Sequence, residues 1–130
     1  MGIFSRKDEL RKNAAKHIGP GEEIRESVIV RKGALRQQNH ALVVTDESFY
    51  AFRLGWPGFS RVEEKLLELP IGQIWIEQGA ASTARQMTGE GVTGKVIVVG
   101  PDGERHEWAR LTGRNPEPLI DFINSRRTPA

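Results

Sequence analysis

The 130-residue sequence contains no cysteine. Disulfide staples and thiolate-bound metals are therefore excluded, and the fold must rest on burial and hydrogen bonding. Long apolar runs are missing too. None approaches the roughly 20 residues of a membrane-spanning helix, and the first residues lack the apolar core of a secretory signal. A cytoplasmic protein is the expectation. There is no large excess of one charge: 19 basic against 17 acidic side chains give a formal net charge of +2. That balance does not imply nucleic acid. What is present is ordinary for one globular domain, with 38% hydrophobic and 28% charged residues, so disorder along the whole chain is not expected.

The periodicity of the chain changes once near its start. Leu10, Ala14 and Ile18 fall at i, i+4 and i+8, with Ser5 and Asp8 in capping-box spacing, which predicts a short basic helix. Gly19-Pro20-Gly21 stops it. Alternation follows. Glu23–Arg31 reads as a strand with Ile24, Val28 and Val30 on one face and Arg25, Ser27 and Arg31 on the other. His40–Thr45 and Phe49–Leu54 are the next strands, and Asp46 is the expected turn residue between them. Val62–Leu69 and Gln73–Gly79 follow, separated by Pro70, which cannot sit inside a ladder. Lys95–Val99 and Glu104–Ala109 flank the hairpin signal Pro101-Asp102-Gly103. Asn115 can cap a last helix, Pro116 suits its first turn, and Leu119, Ile120, Phe122 and Ile123 give it an apolar face.

This pattern predicts a mainly β fold: seven antiparallel strands closed as a barrel by a C-terminal helix, with an extra N-terminal helix. The expected organisation is a basic helix over 1–20, one domain over 21–127 and a frayed tail over 128–130. The order resembles the pleckstrin-homology-like fold, in particular the short bacterial pleckstrin-homology domains. The resemblance covers residues 22–126. It rests on the Gly21-Glu22-Glu23-Ile24 entry, on Leu42-Val43-Val44-Thr45-Asp46 and on Leu69-Pro70-Ile71 followed by Ile74. The Pro101-Asp102-Gly103 turn and the final helix complete it. It implies two near-orthogonal sheets with the helix plugging one end. Members that grip phosphoinositides carry a lysine and then a Lys/Arg-x-Arg triplet across the first hairpin. Here Arg31, Lys32 and Arg36 are followed by Gln37 and Gln38, so the triplet is absent.

No residue set assembles catalytic chemistry from the sequence. Gly89-Glu90-Gly91-Val92-Thr93-Gly94 matches G-x-G-x-x-G, but Lys95–Val99 after it reads as a strand, whereas a phosphate loop opens a helix. Nucleotide or small-molecule binding there is a remote alternative. His17, His40 and His106 lack metal spacing, so no metal or cofactor is expected. Glu63 and Glu64 are adjacent in a strand and are expected on opposite faces. No nucleophile, base and orienting group come together, so substrate turnover is not expected.

Two segments carry the candidate binding residues. Gly55-Trp56-Pro57-Gly58-Phe59 is a Pro/Gly loop with two large aromatics, flanked by Arg53 and Arg61. A stiff loop loses little entropy on docking, so Trp56 and Phe59 read either as partner anchors or as rings folded over the barrel mouth. Arg31, Lys32 and Arg36 form a basic hairpin. The leading expectation is a non-catalytic domain for protein association, including self-association, helped by free strand edges. The alternative is an anionic lipid module at the inner membrane face.

Overall fold

The computed structural model describes residues 6–32, 38–55, 61–77, 95–111 and 114–126. Helix α1 spans Arg6–Ala14 and runs into a 3-10 turn at Ala15–His17. Ser5, its expected cap, lies outside the described residues. The chain then reverses over Gly19–Glu22. The Glu22 amide donates to the Gly19 carbonyl at 3.2 Å, Pro20 holds the second position, and Gly21 holds the third with φ +87°. This is a type II turn, and its third position needs the left-handed region that glycine reaches without cost.

Seven strands follow among the described residues: β1 (Glu26–Lys32), β2 (Gln38–Val44), β3 (Ser48–Leu54), β4 (Val62–Pro70), β5 (Trp75–Ile76), β6 (Lys95–Val99) and β7 (Arg105–Arg110). Helix α2 is Glu117–Arg126. All pairings are antiparallel, in the order β4-β3-β2-β1-β7-β6-β5. The strands make one sheet rather than two. β1 joins the halves because it pairs with β2 along its whole length and with β7 through Val30 and Arg31.

The sheet buries both faces of its centre. On the inner face Val28, Val30, Leu42, Val44, Phe49, Ala51, Ile76, Val96, Val98 and Trp108 meet Leu119 and Ile123 of α2. Every strand adds to this one cluster, since Leu67 and Leu69 of β4 pack against it, so the sheet curls around it. On the outer face Ile29, Ala41, Val43, Tyr50, Phe52 and Leu54 are covered by Leu10 and Ala14 of α1. Strands covered on both sides lose their polar alternation, which is why Ala41-Leu42-Val43-Val44 is continuously apolar. Ile24 departs from expectation. It precedes β1 and packs on the outer cluster, not with Val28 and Val30, because the period-2 rule binds only residues inside the ladder.

Two turns depart from the sequence reading in detail. Between β2 and β3 it is Thr45, not Asp46, whose side chain closes the turn: its Oγ1 accepts from the amides of Glu47 and Ser48 at 3.1 and 3.0 Å. Asp46 instead accepts from Arg25 and from Arg126 of α2, each at 2.8 Å. These bonds from Arg25 hold the Asp46 carboxyl below the usual carboxylate range. Pro70 does stand in a ladder, as the last residue of β4 opposite Ser48. An edge strand tolerates it because its missing N–H deprives no neighbour. α2 is capped as expected, with Asn115 Oδ1 accepting from the Glu117 amide at 3.1 Å. Among the described residues no helix is long and apolar enough to cross a membrane.

Candidate functional site

Antiparallel order sorts the connections. Those from β1 to β2, β3 to β4 and β6 to β7 leave one end of the sheet, and the β2–β3 turn leaves the other. Arg126 reaches Asp46 in the β2–β3 turn, so α2 closes that opposite end. The described residues that flank the two candidate segments, Arg31 and Lys32 for the first and Arg53 and Arg61 for the second, therefore lie at the end away from α2.

 Trp56, Phe59 and Arg36 lie outside the described residues, as does the Gly89–Gly94 motif. The described residues beside them are Arg31 and Lys32 at the end of β1, Arg53 near the end of β3, and Arg61, whose carbonyl accepts from the Gly55 amide at 2.9 Å.

Arg53 and Lys32 at this end are both engaged. Arg53 Nε lies 3.5 Å from Glu63 Oε1, and its Nη2 lies 3.1 Å from Glu64 Oε1. Both carboxylates thus meet one guanidinium, against the expectation that adjacent strand residues diverge. The reason is a pair of irregularities in β4. Ala51 faces Leu67 while Phe52 faces Lys65, which leaves Leu66 as an extra residue. Arg53 faces Glu64 while Leu54 faces Val62, which leaves Glu63 extra. A bulge residue escapes the alternation and turns its side chain off the regular face. Lys32 Nζ donates to the Glu107 carbonyl at 2.8 Å and stands 5.2 Å from the Trp108 ring centroid.

Beneath these charges lies a contact that sequence reasoning missed. Trp108 Nε1 donates to His40 Nδ1 at 3.0 Å, and His40 Nε2 meets Gln38 Oε1 at 3.3 Å. His40 is 4% exposed and Trp108 5%. Burial, then the charges of Lys32 and Arg53, hold the imidazole below its usual pKa. The usable signal was the spacing of His40 with Leu42 and Val44, which puts it on the inner face; its partner lies 68 residues away. Among the described residues no three His, Asp or Glu side chains gather as a metal-binding group. Compared with known proteins, the chain matches no family model, no curated protein and no solved structure.

Proposed function

We propose that this chain is a non-catalytic binding domain of the pleckstrin-homology-like kind, mediating protein association, self-association included. The interaction surface is the end of the sheet opposite α2. The observation that carries this reading is the arrangement of Arg53 with Glu63 and Glu64. An anionic membrane favours a continuous positive field, and two carboxylates interrupt it here. A mixed-charge surface with aromatic anchors suits a protein partner, where charge sets register and buried rings supply affinity. Strand addition at β4 is not the route. That edge carries two bulges, the charges Glu63, Glu64, Lys65 and Glu68, and Pro70 at its end, all features that blunt an edge.

The test is sedimentation of the full chain over a range of concentrations, with and without vesicles of anionic phospholipid, at low and high salt. Association that persists at high salt, with no protein on the vesicles, is expected. A strictly monomeric protein that pellets with vesicles and is released by salt overturns the reading in favour of lipid, because contacts between exposed charges are screened.

A further inference from the structure

The His40–Trp108 contact has a direction. Trp108 can only donate, so His40 Nδ1 must be the acceptor, and the ring proton sits on Nε2 toward Gln38. A second proton would have to enter at Nδ1, where it would meet the indole N–H head on. We propose that His40 is a proton-operated latch on this end of the sheet: neutral, it holds Trp108; protonated, it releases it. The charged and titratable groups around the ring come from the neighbouring strands. β1 supplies Lys32, and β3 supplies Arg53, which is paired directly with His40. β7 supplies Trp108, with His106 stacked on it at 6.3 Å between ring centroids. β4 supplies Glu63 and Glu64, which bind Arg53. No carboxylate among the described residues contacts the ring to welcome a charge. Release would also free Lys32, which rests on the Trp108 ring and on the carbonyl of its neighbour Glu107. Acid would thereby add the charge of His40 to this end and leave the Lys32 ammonium without its present contacts. This inference stands apart from the association reading.

The experiment follows the Trp108 indole N–H and the His40 ring nitrogens by NMR in the full chain, as pH falls from about 8 to about 5, where histidine titrates. The neutral ring is expected as the Nε2–H form. The indole resonance should move with a midpoint below the ordinary value of about 6.5. His40→Asn, which keeps an acceptor but does not titrate, should hold the indole resonance fixed, and His106→Gln should leave the response intact. A neutral Nδ1–H ring, an indole resonance that does not move in the native chain, or a response lost in His106→Gln overturns the latch. The native titration decides the matter even if His40→Asn fails to fold.

Discussion

Glu22 takes hydrogen bonds from the Gly19 amide at 2.9 Å, Thr45 Oγ1 at 2.7 Å and Tyr50 Oη at 2.8 Å. One carboxylate so joins the turn after α1 to the β2–β3 turn and to the outer face of β3. Burial pushes its carboxyl up, but the bonds from Thr45, Tyr50 and Gly19, with the charge of Lys65, hold it below its usual value. Its contribution to stability is therefore present above the unfolded pKa and is lost as pH falls through the folded one. Tyr50 moves the other way. Burial, and then the bond to Glu22, raise its hydroxyl to about 12. Between about 10, its unfolded value, and about 12 the native state holds the proton that the unfolded state has lost, so stability falls with rising pH. Tyr50→Phe should cost about 1.5–3 kcal/mol at neutral pH, as bonds to charged groups do. It should also remove this alkaline loss, and urea unfolding at neutral and alkaline pH checks both.

At the scale of elements, β4 and α2 give opposite expectations. Leu66 is 41% exposed as a bulge residue, so Leu66→Lys should change stability by no more than about 0.5 kcal/mol. Leu67, one position on, packs against the inner cluster, and Leu67→Lys should be strongly destabilising; thermal melts of the two variants decide it. Leu119 and Ile123 of α2 are 1% and 0% exposed. Truncating each to alanine should cost about 2–5 kcal/mol, and the pair together should abolish a cooperative melt. Most elements were legible because their signals are local: the apolar runs of 41–44 and 96–99, the Pro101-Asp102-Gly103 turn, and the Asn115 cap. What escaped was decided by partners. Whether Glu63 bulges depends on β3, whether Asp46 serves its own turn depends on Arg25 and Arg126, and the role of His40 depends on Trp108. None of these is written in the neighbouring residues.

At the scale of the molecule, the two readings of Trp56 and Phe59 separate by where the energy goes. Under the association reading, replacing both with alanine should leave urea unfolding nearly unchanged and weaken association by about 2 kcal/mol or more, as hot-spot truncation does. A loss of about 3–5 kcal/mol in folding stability per ring would make them core instead. The strand order has a further consequence, in time rather than space. β1 is complete at Lys32, and its hairpin with β2 forms from neighbouring sequence, but its other edge waits for β7, whose Ala109 and Arg110 are made nearly eighty residues later. Until then a growing chain presents an unpaired, apolar strand edge, and closing so long a loop must precede any reward from the contacts it brings. The pairing of Val30 and Arg31 with β7 is therefore the step expected to set the folding rate, and the interval before it is when the chain is most open to aggregation.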